Sequence, residues 1–220
     1  MTLQTDRTDA TRANFRWAIA IPLALVLAAC NAGQPTSEQS AANEQSVVQG
    51  TVHVCTSCHG FHGRSVSPRF PNLAGQQKDY IAAQLKAFRD HTRADPHAHT
   101  YMWGMAATLT DPTIDGLADY FSSQKPAPGT TGDPTLIAEG GKIFKDGIPD
   151  RKVPACQSCH GKNGEGASII PRLAGQHPGY IADQLDNFIS KARANEIMHE
   201  NSKNLTPEEI QQIATYVGSL

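Results

Sequence analysis

The sequence lacks the features that point to a membrane-embedded, nucleic-acid-binding or β-rich protein. The apolar run at residues 17–29 is too short to span a bilayer comfortably. The formal net charge is −2 with no long block of either sign, whereas nucleic-acid binders usually carry a clustered basic surface. The alternation of β-branched residues that is typical of strands is absent outside short runs. A composition of 39% hydrophobic and 18% charged residues also argues against disorder.

The first thirty residues have the pattern of an export signal. Three arginines precede the apolar run, which ends in LAAC at residues 27–30. This ending resembles the lipobox of bacterial lipoproteins, in which the cysteine is lipidated and becomes the new N-terminus after cleavage. We therefore predict a signal peptide at residues 1–29, a lipidated Cys30 and a flexible tether over residues 30–45. An ordinary signal peptide cut near Ala29 is the alternative.

The remainder of the chain contains the same pattern twice. The segment CTSCHG at residues 55–60 recurs as CQSCHG at residues 156–161. The segment PNLAGQ at residues 71–76 recurs as PRLAGQ at residues 171–176. Matches in constant register over so many positions indicate a tandem duplication in which each copy forms one small domain.

Each copy is predicted to be an all-α domain. The first copy is placed at residues 46–124 and the second copy at residues 133–220, joined by a linker rich in Pro and Gly at residues 125–132. Thr206 begins a capping box before an apolar stripe at helical spacing, and Thr110 caps the matching helix of the first copy.

Further helices are predicted over residues 80–89 and 180–193, and another begins after Asp133.

Domains of about eighty residues are too small to bury a large core from aliphatic side chains alone. A covalently held haem would supply the missing apolar centre.

The repeated CxxCH segment is the attachment signature of c-type haem. Two thiols three positions apart can add to the two vinyl groups on one edge of the porphyrin. The adjacent histidine then lies beneath the ring, where one imidazole nitrogen can bind iron. We therefore predict two covalently bound haem c groups. The predicted thioether residues are Cys55, Cys58, Cys156 and Cys159, and the predicted proximal iron ligands are His59 and His160.

Two other interpretations of the cysteines are weaker. One zinc site built from both CxxC pairs would need a spacing far longer than that of zinc ribbons, and would not use the histidines. A redox-active disulfide in each copy would not explain a histidine at the same place in both.

Methionine is the predicted sixth ligand of each iron, because methionine sulfur raises the reduction potential relative to a second histidine. Met198 is the only methionine of the second copy, whereas the first copy offers Met102 and Met105. Met102 lies seven residues before Leu109, as Met198 lies seven residues before Leu205. This register favours Met102 over Met105.

Histidine ligation at the sixth position stays open as an alternative, through His97, His99 or His199. His97 and His99 have no counterparts in the second copy, which favours loop positions for them. The methionines could instead fill gaps in the core.

The backbone carbonyls of Pro71 and Pro171 are predicted to accept a hydrogen bond from the imidazole nitrogen of each proximal histidine that does not bind iron.

Together these motifs resemble the dihaem cytochrome c4 family, which has two class I cytochrome c domains in tandem. The resemblance covers nearly everything from residue 50 onward and includes CxxCHG, PxLAGQ, a Tyr-Ile…Gln-Leu…Phe helix and a late methionine in each copy. It implies two haems with His/Met ligation, which face each other across a domain interface. It also implies a periplasmic carrier of electrons from a quinol-oxidising complex to a terminal oxidase.

The predicted function is therefore electron transfer by a membrane-anchored periplasmic lipoprotein rather than enzymatic catalysis. No Ser/His/Asp set or pair of carboxylates recurs in the register of the duplication. The expected partners are redox proteins, and the membrane is reached through Cys30. One alternative is the cytochrome subunit of a periplasmic dehydrogenase. Another is a dihaem peroxidase, which needs one open iron and is disfavoured by methionines at matching register.

Overall fold

The computed structural model describes residues 36–220, so the predicted signal peptide and Cys30 lie outside the described residues. The α-helices are α1 (Ser37–His59), α2 (Lys78–Arg89), α3 (Trp103–Ala106), α4 (Asp111–Ser122), α5 (Pro134–Asp146), α6 (Gln157–His160), α7 (Pro178–Ile189), α8 (Glu196–Ser202) and α9 (Pro207–Ser219). The described residues contain isolated β-bridges but no strand. The predicted all-α class is confirmed. No helix within this part of the chain combines the length and apolar character needed to cross a membrane.

The duplication is visible in how the helices pack. The first helix of each copy packs against the last, α1 on α4 and α5 on α9. The middle helix also packs against the last one, α2 on α4 and α7 on α9. Each copy is therefore a small helical unit of the same architecture.

Three predicted helix starts are confirmed by their capping hydrogen bonds. The Thr110 side chain accepts from the backbone N–H of Thr113, and Thr206 forms a complete capping box with Glu209. The Asp133 carboxylate accepts from the first backbone N–H groups of α5. These side chains satisfy donors that have no partner within the helix, which is why the sequence pattern identifies the start of each helix.

Two helix boundaries differ from the predictions. Helix α1 already begins at Ser37, so residues 37–45 of the predicted flexible tether are helical; Ala, Glu and Gln in this stretch are good helix formers. Helix α7 ends at Ile189 rather than at Arg193, because Lys191 adopts a left-handed backbone conformation with φ of 62°. The turn after α7 redirects the chain and carries Arg193 towards the other copy.

The largest hydrophobic cluster of each copy forms its core. The cluster of the first copy contains Val48, Val52, Ile81, Leu117, Ala118 and Phe121. The cluster of the second copy contains Ile143, Phe144, Ile181, Ala182, Ile210, Ile213, Ala214, Tyr216 and Val217. Burying one such aliphatic or aromatic side chain contributes about 1.5–3 kcal/mol, so each small core depends on a few residues. Leu117, Phe121, Ile181 and Ile213 also line a cavity, which places the cores beside the candidate site.

Candidate functional site

The two CxxCH segments occupy equivalent ends of helices. In the first copy the segment forms the C-terminal end of α1, and in the second copy it runs into the short helix α6. The first cysteine of each pair is half-buried and the second is exposed. Within residues 36–220, no three His, Cys, Asp or Glu side chains converge on a metal position.

The predicted proximal histidines, His59 and His160, are buried, and each makes the predicted hydrogen bond to a proline carbonyl. His59 Nδ1 lies 2.9 Å from the carbonyl oxygen of Pro71, and His160 Nδ1 lies 3.0 Å from that of Pro171. A carbonyl only accepts, so Nδ1 carries the hydrogen and Nε2 keeps its lone pair for a metal. Burial lowers the pKa of both imidazoles, although the proline carbonyls oppose this shift. The neutral, metal-binding form is thereby favoured.

The half-buried thiols are poor nucleophiles. Burial raises the pKa of Cys55 and of Cys156 to about 11, with smaller opposing effects from backbone hydrogen bonds. The thiolate is the form that attacks a disulfide or binds zinc, and little of it exists at neutral pH with this pKa. Cys55 and Cys156 therefore do not supply the attacking thiolate of a redox-active pair at neutral pH.

Both copies line one cavity of about 500 Å³, called here the shared cavity. Its apolar wall includes Leu73, Ile81, Leu85, Phe88, Leu117 and Phe121 from the first copy and Leu173, Ile181, Leu185, Phe188, Leu205 and Ile213 from the second. The predicted site residues on it are Cys55, His59, Met102, Cys156, Cys159, His160 and Met198. Cys58 is exposed and is not part of the lining.

The candidate sixth ligands are separated by the fold. Met102 ends a π-helical turn, Ala98–Met102, and lines the shared cavity, as Met198 of α8 does. Met105 lies outside the lining, with 57% of its surface exposed. The structure therefore brings Met102 rather than Met105 to the cavity that His59 and His160 line.

The three histidines that were alternative sixth ligands also differ in whether they line the shared cavity. His97 lines the shared cavity, whereas His99 packs edge-on against the Trp103 ring with centroids 4.5 Å apart. His199 Nδ1 donates to the Phe188 carbonyl at 3.0 Å, and His199 is not in the cavity lining. Only His97 of these three shares the cavity with a proximal histidine.

Both the apolar wall of the shared cavity and the polar atoms of its lining are suited to haem c. Three buried side-chain atoms of the lining have no hydrogen-bond partner within residues 36–220: Asp95 Oδ1, Arg172 Nε and Gln184 Nε2. Buried polar atoms are rarely left unpaired, and the two donors suit the propionate carboxylates of a haem. With thiols and imidazoles already positioned, the residues present match that group.

The repeated PxLAGQ segments join the two copies. Gln76 accepts from the backbone N–H of Arg172 at 2.7 Å and donates to its carbonyl at 2.9 Å. Gln176 makes the same pair of hydrogen bonds with Asn72, at 2.8 and 2.9 Å. Each glutamine thus pairs with the backbone of the other copy, which gives this repeated segment a role at the interface.

A second set of reciprocal contacts was missed by sequence reasoning. Arg93 donates to Gln184 Oε1 at 2.8 Å, and Arg193 donates to Gln84 Oε1 at 2.8 Å. Arg193 also donates to the Tyr80 hydroxyl at 2.9 Å. Arg93 and Arg193 recur in the register of the duplication. This repetition is the sequence feature from which a shared role could have been predicted. We call these residues, with Tyr180, the arginine network.

A family model described as Cytochrome c matches residues 49–125 and again residues 137–220. Cytochrome c-552 of Acidithiobacillus ferridurans is 45% identical over 76% of this chain and 73% of its own length. Cytochrome c4 of Stutzerimonas stutzeri is 37% identical over 84% of this chain and 93% of its own length. A thiosulfate dehydrogenase electron acceptor of Thiomonas intermedia is 32% identical over 75% of this chain and 77% of its own length. Among solved structures, Acidithiobacillus ferrooxidans cytochrome c4 is 44% identical, covers 76% of this chain and 98% of that chain, and has a TM-score of 0.72.

Proposed function

Since this chain belongs to the dihaem cytochrome c4 family and carries two covalently bound haem c groups, we propose that it relays electrons in the bacterial periplasm, from a quinol-oxidising complex towards a terminal oxidase. The observation that carries this proposal is the equivalent placement of one histidine and one methionine from each copy on the shared cavity. An iron that has both a histidine and a methionine ligand has no free coordination position for a substrate, and this ligation suits electron transfer.

Each copy supplies two residues for haem attachment and two for iron ligation. Cys55 and Cys58 attach one group, with His59 and Met102 as its iron ligands. The second copy uses the equivalent set, Cys156, Cys159, His160 and Met198. The haem c groups supply the one-electron chemistry, and the chain supplies ligation, orientation and exclusion of water. The proline carbonyls keep each imidazole in the metal-binding tautomer, and Met102 packs against the cluster of Phe88, Ala98 and Ala106.

Spectra of the purified holoprotein test this function directly. We expect two haems per chain, a near-infrared band from methionine sulfur for both irons when oxidised, and no uptake of carbon monoxide when reduced. One haem without that band, combined with carbon monoxide binding, would indicate an open iron. That result would contradict the carrier and favour the peroxidase alternative.

A subunit of a periplasmic dehydrogenase is the second candidate function. It is supported by the similarity to a protein named as a thiosulfate dehydrogenase electron acceptor. Gentle purification from the native membrane distinguishes the two proposals. A stoichiometric dehydrogenase subunit that remains bound through size exclusion would favour the second candidate, whereas isolation as a lone, fully reducible dihaem protein would contradict it.

Membrane attachment is proposed to depend on Cys30. In cells expressing Cys30→Ser, we expect the protein to move from the membrane fraction to the soluble periplasmic fraction, because no thiol remains to carry the lipid. Haem content should stay at two per chain, since Cys30 lies outside both CxxCH segments. Asn31→Ser is the matched control and should remain lipidated and membrane-bound. An unmodified Cys30 in the mass spectrum of the mature wild-type protein would contradict the proposal.

A further inference from the structure

Four side chains of the first copy line the shared cavity where it reaches the protein surface. Arg69, His97 and Tyr101 are exposed and Phe70 is half-buried, yet all four belong to the cavity lining. We call these four residues the first mouth. Tyr101 directly precedes Met102, the proposed iron ligand, in the chain. The first mouth is therefore a place where a molecule outside the protein comes close to the first haem site.

Aromatic rings connect the first mouth to the proximal histidine of the first copy. The Phe70 ring packs edge-on against the His59 imidazole with centroids 6.1 Å apart, and the Tyr101 ring packs edge-on against Phe70 at 5.7 Å. The His97 ring lies 6.2 Å from that of Tyr101. Rings fixed by such contacts have little conformational freedom to lose, so they offer a partner a rigid surface at low entropic cost.

The exposed charge of the first mouth is positive. Residues 61–70 and 97–101, which supply the four side chains, contain two arginines but no Asp or Glu. Within residues 36–220, Arg69 forms no ion pair. Asp95 lines the same cavity, but it is 1% exposed and its carboxylate is paired with Arg93. A docked partner would therefore meet the Arg69 cation rather than this carboxylate.

The second copy has a different surface at the equivalent place. Three isoleucines replace the arginine and the two aromatic residues, and all three line the shared cavity: Ile169, Ile170 and Ile197. Their segments, residues 162–170 and 196–198, contain the exposed Lys162, Glu165 and Glu196, and Lys191 lies 3.5 Å from Glu196. A surface rich in carboxylates would meet an unpaired cation at the first mouth and two glutamates here. Like charges facing each other disfavour the wrong docking position.

We infer that the first mouth docks a redox protein that presents carboxylates around its own electron-transfer site. Arginine and tyrosine are among the residue types that dominate the binding energy of protein interfaces. An anionic lipid surface is a poorer fit, since lipid headgroups are recognised by clusters of about 4–8 Lys and Arg. One electron passes across the docked interface, so that either the first haem iron is oxidised as the partner's centre is reduced, or the reverse. This inference rests on the proposed function, because it requires a redox partner.

The test gives the first copy the residues of the second copy, through Arg69→Ile and Tyr101→Ile in the full-length holoprotein. The probe is solubilised membranes from a strain of the native bacterium that lacks this protein. Two rate constants are measured over a range of salt concentrations. One is the oxidation of the reduced holoprotein in air, and the other is the reduction of the oxidised holoprotein by quinol with cyanide present.

At least one of the two rate constants is expected to fall in both variants. Arg69→Ile should lower it about tenfold at low ionic strength and leave it unchanged at high ionic strength, because salt screens the attraction between exposed charges. Tyr101→Ile should lower it about tenfold at every ionic strength, since salt does not screen a packing contact. The near-infrared methionine band should persist in Tyr101→Ile, because isoleucine precedes Met198 in the second copy.

Lys142→Gln is the matched control. It removes an exposed cation of α5 that is outside the cavity lining, and it should leave both rate constants unchanged. Unchanged rate constants in both mouth variants, or a faster reaction of Arg69→Ile, would overturn the inference.

Two further measurements identify other occupants of the first mouth. Binding of the wild type to phosphatidylglycerol vesicles, or a dimer in analytical ultracentrifugation, could be lost in the mouth variants while both rate constants stay unchanged. Either result would overturn the inference in favour of a lipid surface or a second copy of this chain. A wild type that the membranes neither oxidise nor reduce would instead contradict the proposed function, so the two failures are distinguishable.

Discussion

Replacing Met102 with alanine is expected to open the iron of the first copy to carbon monoxide, whereas the same change at Met105 leaves that iron closed. Met102 lines the shared cavity, and Met105 is largely exposed outside it. A methyl side chain cannot reach the iron, so the reduced haem gains a free position. The duplication and the fold select the same methionine by independent routes.

The measurement is carbon monoxide uptake per chain together with the near-infrared band of the oxidised protein. Met102→Ala should bind one carbon monoxide per chain and keep about half of the band, which then arises from the second copy alone. Met105→Ala should bind none and keep the whole band. If Met102→Ala stays closed and shows a bis-histidine spectrum, the ligand is another group on the cavity, and His97 is the residue so placed.

The double substitution Cys156→Ala and Cys159→Ala is expected to reduce the haem content from two to one per chain. Both thioether bonds to the second group are lost, while the motif of the first copy is intact. The loss should also destabilise the second copy. An empty cavity costs about 24 cal/mol per Å³, so leaving half of the 500 Å³ shared cavity unfilled costs about 6 kcal/mol. That figure is comparable with the whole stability of a small domain, about 5–15 kcal/mol.

Haem content is measured by the pyridine haemochrome absorbance against protein mass, and stability by unfolding in guanidinium chloride. Ser158→Ala is the matched control because it lies between the same two cysteines and leaves their spacing unchanged. This variant should keep two haems and unfold close to the wild type. Retention of two covalent haems in the double variant would contradict the assigned attachment site.

Much of the local structure was predictable because its determinants are contiguous in the chain. A capping residue such as Thr206 acts on backbone groups within one turn, so its pattern marks the start of α9. The end of α7 was not predictable in this way. Its apolar periodicity continues towards Arg193, but the left-handed turn at Lys191 places that guanidinium in the interface, where it bonds to residues of the other copy.

The sequence by itself determined the two haem-attachment motifs, the duplication and the helical class, because each depends on short-range chemistry or on spacing along one element. The tertiary structure decided which side chains share a cavity and which charges lie together. Asp95 and Arg193 are both ordinary charged residues in the sequence, and only the packing of the two copies buries them beside the same space. Burial keeps water away from both charges, so their interactions are screened much less than those of exposed residues.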